Sequence, residues 1–191
     1  MTVIAIHQVN FFPYLGFFEK MAQSDIFVLM DRCQYEKNGY QNRFNIGDKW
    51  YTMSTNSGMT PISDKKYLNP EKDWKKIKVS LPEYIHILNL FDECITDSLS
   101  LTNFNIILKI ATLMDIYSKK TKIVRDPKTP LVKSQRLLEI VTIWNGNVYL
   151  SGTSGKNYLD LPIFQSAGID VTFQQNPTNK PILEHLNEII K

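Results

Sequence analysis

The feature that most constrains this chain is a short apolar run that ends in a polar turn. Thr2 to Ile6 is a run of strand formers, His7-Gln8-Val9-Asn10-Phe11-Phe12-Pro13 follows, and Leu15 to Ala22 is amphipathic. Strand formers that enter a polar turn and leave it as a helix make the first half of a βαβ unit. Pro13 fixes the backbone just ahead of the helix. In open α/β sheets ligands collect beyond the carboxyl ends of the strands, so His7, Gln8 and Asn10 are expected to face a site. Capping and backbone satisfaction are the plain alternative, but an imidazole and two amides exceed what a helix cap needs.

A second apolar run, Ile26 to Met30, is continuous, the pattern of a strand covered on both faces, and it ends at Asp31. Strand, helix and strand in this order predict a right-handed parallel pair, which puts Asp31 and His7 at one edge. Downstream, Gln41 to Ile46 and Lys49 to Ser54 read as a hairpin around Gly47-Asp48. Residues 54–70 read as a mobile loop, in which a lid and plain slack look alike. A basic amphipathic stretch begins at Pro70. Helices are predicted over 82–91, 104–117, 131–144 (stopped by Asn145-Gly146), 162–167 and 183–190. Strands are predicted at 122–124, 147–150 and 171–173. The alternation gives an α/β class: a mainly parallel or mixed sheet with helices on both faces, in three layers. One domain over 1–191 is expected, with room for a small helical lobe around 70–118.

Composition closes off several classes. With 43% hydrophobic residues the chain can fill a core, and a net charge of +3 is too mild and too evenly spread for duplex nucleic acid. Cys33 and Cys94 form neither a disulfide framework nor a metal signature. No basic, apolar leader opens the chain and no apolar run approaches ~18 residues, so a cytoplasmic protein with free thiols and no membrane span is expected.

Two further stretches carry candidate chemistry. Between Asp31 and Ile46 hydrogen-bonding groups are dense, and Lys37 and Arg43 supply fixed positive charge suited to a phosphate or carboxylate; a solvated hairpin is the plain alternative. Ser151-Gly152-Thr153-Ser154-Gly155 joins a strand to a helix, and its glycines can let backbone amides approach a ligand, or it can be a plain connector. Lys156 is not in a Walker frame. His86 stands alone on a helix and reads as structural or solvated.

The strings Ile6-His7-Gln8-x-Asn10-x-Phe12-Pro13-x-Leu15-Gly16-x-Phe18-x-Lys20, Ser24-Asp25-x-Phe27-Val28, Gln41-Asn42-Arg43-x-x-Ile46 and Tyr149-Leu150-Ser151-Gly152, together with Asp31, Gln34, Trp50, Gly155 and Tyr158-Leu159, resemble the WbqC-like proteins. The chain departs at Val9, where the family has Pro, at Arg32, where a second acid is usual, and at Arg125-Asp126, where a serine pair is usual. Its tail after Thr178 is shorter. The resemblance implies a role in O-antigen and other surface-polysaccharide synthesis: transfer of an aminoacyl group, such as glycyl, from an acyl or aminoacyl donor to the amino group of a nucleotide-linked amino sugar. A glycosyltransferase with Asp31 as a Mg²⁺ or Mn²⁺ ligand, an ATP-dependent amide ligase, and a non-enzymatic carbohydrate-binding or assembly protein are the alternatives. No cofactor and no bound metal are expected under the first reading. His7, with an ordinary pKa near ~6.5, is the expected general base and Asp31 its partner. Gln8, Asn10, Lys37, Asn38, Gln41, Asn42, Arg43, Ser151, Gly152, Ser154, Gly155 and Tyr158 are the expected binding residues.

Overall fold

The computed structural model describes residues 1–116 and 121–190. The first strand, β1 (Val3–Gln8), leads through α1 (Leu15–Ala22) to β2 (Ile26–Met30). A hairpin follows, β3 (Arg43–Ile46) and β4 (Lys49–Thr52), and then a helical stretch of α2 (Pro70–Ser80), α3 (Ile85–Leu88) and α4 (Leu99–Leu113). The second half alternates β5 (Lys122–Arg125), α5 (Lys133–Ile143), β6 (Val148–Ser151), α6 (Leu161–Ser166) and β7 (Asp170–Phe173), and ends in α7 (Ile182–Ile189).

The main sheet has the order β5-β2-β1-β6-β7, every neighbouring pair parallel. The chain therefore steps outward from β1 in one direction, returns, and steps outward in the other. Such a reversal leaves a crevice between the central strands at their carboxyl ends, here between β1 and β6. Alternation along β1 sorts the two faces. Ala5 joins a core with Phe17, Phe18 and Met21 of α1 and Ile106, Ile107 and Ile110 of α4, whereas Ile4 and Ile6 pack with Leu137, Ile140 and Val141 of α5 and Phe164 of α6. Helices thus cover both faces, in three layers. The core under α1 continues without a break into Trp74 and Ile77 of α2 and Ile87, Leu88 and Phe91 of the next turns. Among the described residues no helix is long and apolar enough to cross a membrane.

Several boundaries shift from the sequence reading, each for a local reason. The helix expected to start at Phe104 starts at Leu99, because the Ser98 hydroxyl accepts from the Leu101 N–H, 3.3 Å away, and caps it. Its expected end at Tyr117 lies outside the described residues. The helix expected over 82–91 is a series of 3₁₀ turns around the single turn of α3, yet Ile87, Leu88 and Phe91 are buried as the spacing implied. At the end of α5 Asn145, not Gly146, takes the left-handed conformation (φ 52°), and Gly146 is needed because a Cβ there would overlap Ile4 and Val141. The loop at 54–70 is fastened rather than slack. It pairs Gln34 with Pro61, Thr55 with Tyr67 and Lys66 with Ser98, and buried Lys65 donates to the carbonyls of Asn56 and Gly58.

Candidate active site at the carboxyl edge

The turn after β1 divides into two parts with different tasks. Phe11 and Phe12 plunge into the core, where Phe12 stacks on Trp74 at 5.8 Å and meets Phe91 edge-on at 5.0 Å. Phe12 has φ 47°, an uncommon conformation for an aromatic residue, held in place by this packing. Asn10 is buried with them, and among the described residues its Oδ1 has no hydrogen-bond partner. Asn103 of α4 pins the turn by donating to the carbonyls of Val9 (3.0 Å) and Gln41 (2.7 Å). What remains facing outward is His7 and Gln8.

They face a cavity of about 620 Å³ at the carboxyl edge. His7 and Gln8 of β1, Gly152, Ser154 and Tyr158 after β6, and Arg136 of α5 contribute to its wall, so it lies at the reversal point of the sheet. Thus the structure brings together five of the residues expected from sequence: His7, Gln8, Gly152, Ser154 and Tyr158. Gln41 stands behind them, donating to Gln8 Oε1 at 2.6 Å. Gly152 is a cavity wall with room in front of it: among the described residues a Cβ there would have only the Lys20 amine nearby, at 4.0 Å. Gly155 is required for a different reason, since a Cβ would overlap the buried Ser151 hydroxyl. Ser151 itself donates to the Gly152 carbonyl at 3.2 Å.

Other expected residues are not at the cavity. Lys37 and Asn38 are exposed on the turn before the hairpin. Arg43 closes that turn: it donates to the carbonyls of Gly39 and Asn38 and stacks over Trp50 at 4.1 Å. Asn42 is buried, donating to the Met53 carbonyl and accepting from the Tyr35 hydroxyl. Asp31 reaches the expected edge, two residues past Leu29, which pairs with His7. Its carboxylate, however, turns to α4, accepting from the Ser100 hydroxyl with Arg125 3.8 Å away, and does not line the cavity. Among the described residues no three His, Cys, Asp or Glu side chains come together as a metal site.

The structure adds residues that the sequence reading did not assign to the site, although Lys20 stands in the string that carries the family resemblance. Lys20 of α1 is 2% exposed and lines the cavity. Its ammonium donates to the Ile6 carbonyl at 3.0 Å, one residue past the last β1–β6 pair. Burial pushes its pKa down to about 7. Arg136 enters from α5, held by the Asp126 carboxylate and the Arg32 carbonyl, and its buried Nε–H has no partner among the described residues. Arg32 and Lys133 complete the basic lining. His7 packs edge-on against Phe17 at 4.7 Å, and desolvation, with the charge of Lys20, drives its pKa down to about 3. Its Nδ1 is 3.1 Å from the Gln8 carbonyl, which only accepts, so Nδ1 carries the proton and Nε2 is the free acceptor. Cys33 also borders the cavity, but burial raises its thiol to about 11, which leaves no thiolate there at neutral pH. A second cavity of about 660 Å³ lies along α2 and the turns after it and contains none of the expected site residues.

The family model of the WbqC-like proteins matches residues 8–181, a span that runs from the β1 turn through the wall after β6. The chain belongs to the WbqC-like protein family. This WbqC-like protein is also similar to the uncharacterized protein Rv1507c of Mycobacterium tuberculosis: 27% identical over 192 residues, spanning 91% of this chain and 82% of that protein. No solved structure matches.

Proposed function

We propose that this protein transfers an aminoacyl group, such as glycyl, to the amino group of a nucleotide-linked amino sugar destined for a surface polysaccharide such as O-antigen, and that the reaction takes place in the cavity beside His7. The observation that supports this reading is the charge of the lining: Arg32, Lys133 and Arg136 contribute to it, and among the described residues no Asp or Glu does. Such a wall favours an anionic ligand, and a volume of about 620 Å³ falls in the range of small-molecule sites. Arg136 suits the diphosphate, because it lines the cavity with a guanidinium already oriented by Asp126 and Arg32. Met30, Leu137 and Tyr149 offer apolar surface for rings.

In the transfer step the sugar amine forms a C–N bond to the acyl carbon of an activated donor, an ester or thioester. The bond from that carbon to the leaving group breaks, the leaving group takes the electron pair, and the nitrogen gives up a proton. His7 stays neutral far below physiological pH, so Nε2 accepts a hydrogen bond from the sugar amine and aims its lone pair. With a conjugate acid near pH 3 it is a weak base, and its contribution is positional. The glycosyltransferase reading leans on Asp31 as a metal ligand, and that carboxylate is engaged by Ser100. Calorimetry with a nucleoside diphosphate tests the anionic site: the wild-type protein should bind it and Arg136→Gln should bind it at least tenfold more weakly. Equal affinities would move the phosphates elsewhere.

A further inference from the structure

A lysine in the interior is ordinarily paired with a carboxylate or avoided. Lys20 is neither. It is 2% exposed, forms no ion pair with Asp or Glu among the described residues, and its one bonded acceptor is the neutral Ile6 carbonyl at 3.0 Å. Phe27 lies beneath the amine, 5.8 Å from its ring centre. On the open side is the cavity, and Gly152 stands across the gap with no side chain to fill it.

Burial lowers the pKa of the amine, and the groups that share its cavity offer it no counter-charge among the described residues. From β1 comes His7, from the segment after β2 come Arg32 and Cys33, from α5 come Lys133 and Arg136, and from β6 and its turn come Tyr149 and Tyr158. Desolvation disfavours an ammonium, and burial keeps the Cys33 thiol and both tyrosines protonated at neutral pH. On its own helix, Glu19 is occupied by Thr178. Among the described residues no anion lines the cavity beside Lys20, so the protein around it favours the uncharged amine.

We infer that Lys20 is the catalytic proton acceptor of this site: as a neutral amine it takes the proton that the sugar nitrogen loses when the C–N bond to the acyl group forms, becoming an ammonium that hands the proton to the leaving group or to water. This rests on the transfer reading above and gives the missing base a position, beside His7 and opposite Gly152. The ammonium so formed has no counter-charge among the described residues, which drives the proton onward to the leaving group or to water.

Two measurements on the full-length protein test it. The first is competitive acetylation with acetic anhydride across pH, read by mass spectrometry of the peptides that carry Lys20 and exposed Lys72. Lys20 should reach half-maximal reactivity near neutral pH, well below the 10.5 of a free lysine, with the exposed Lys72 as the internal reference. A Lys20 midpoint equal to that of Lys72 overturns the inference. The second is turnover of a nucleotide-linked amino sugar by wild type, Lys20→Met and Lys20→Arg. Both variants should lose kcat by roughly 10²–10⁴-fold, as for removal of a general base, with KM for the sugar nucleotide within threefold. Arginine keeps the charge but cannot accept a proton. Full kcat in either folded variant overturns the inference and leaves the transfer reading standing. No turnover by the wild type with any aminoacyl donor removes the transfer reading, and Lys20's role in it, even where the amine titrates near neutral.

Discussion

Replacing Lys20 by methionine should make the protein more stable at neutral pH, and the gain should vanish in alkali. The ammonium has a folded pKa of about 7 against 10.5 for a free lysine. At ~1.36 kcal/mol per unit that gap corresponds to about 5 kcal/mol. The sign follows from proton counting. Between pH 7 and 10.5 the unfolded chain holds a proton on Lys20 that the folded chain lacks, so wild-type stability rises with pH across this window. Below pH 7 both states carry the proton and the full penalty of burying the charge persists. Methionine fills a similar volume without a charge, so the variant shows no such dependence. It forfeits the hydrogen bond to the Ile6 carbonyl, roughly 1 kcal/mol at every pH. The stability difference, variant minus wild type, should therefore be several kcal/mol at pH 6 and fall by about 5 kcal/mol toward pH 10.5. Urea unfolding of both proteins over this range, followed by tryptophan fluorescence, gives that difference directly and cancels the titrations the two share. Parallel curves would refute the reasoning, because they would mean that Lys20 titrates alike in the folded and unfolded chains.

Four other outcomes are expected. Arg43→Ala should leave affinity for a nucleoside diphosphate unchanged in calorimetry, while Arg136→Gln weakens it by roughly 1.5–3 kcal/mol, the range for a charged hydrogen bond. Gly152→Val should fold with a native circular dichroism spectrum, since nothing but the Lys20 amine stands within 4.0 Å of a Cβ there, and should abolish ligand binding by filling the cavity. Asp31→Asn should cost roughly 1–3 kcal/mol in thermal unfolding through the Ser100 contact, yet leave ligand affinity within twofold. His7→Asn should flatten the loss of stability in acid: the folded ring titrates near 3 and the unfolded ring near 6.5, so the unfolded chain binds the extra proton and wild-type stability falls as pH drops between these values.

The elements of the sheet were legible because their signals are local. Ile26 to Met30 is apolar throughout because β2 is covered on both faces, and the run matches the strand residue for residue. The placement of β1's polar turn at the carboxyl edge followed from strand-helix-strand order alone. The identity of the lining was harder to read. Lys20 sits in the string Phe17-Phe18-Glu19-Lys20-Met21, where a lysine ordinarily marks the solvated side of an amphipathic helix. That side of α1 is instead closed off, with the 178–180 segment bonded to Leu15 and Gly16 on one flank and the sheet edge above. The residue spacing carries a hint, since Lys20 is three positions after Phe17, the ring that His7 touches. Arg32, Lys133 and Arg136 carried no local sign of the site, because which helix N-terminus meets which strand end is a property of strand order, which no local pattern contains. The hairpin misled for the same reason. Lys37 and Arg43 have the chemistry of phosphate ligands, but Arg43 is spent on its own turn and on Trp50.

Incubating the purified protein with a nucleotide-linked amino sugar and a set of activated aminoacyl donors, followed by mass spectrometry of the sugar nucleotide, tests the central claim most directly. The account predicts one new species, the sugar nucleotide bearing a single aminoacyl group in amide linkage, formed by the wild type and strongly reduced in Lys20→Met. Unmodified sugar nucleotide with every donor, alongside tight binding of the same compound, would contradict it and leave a carbohydrate-binding protein in its place.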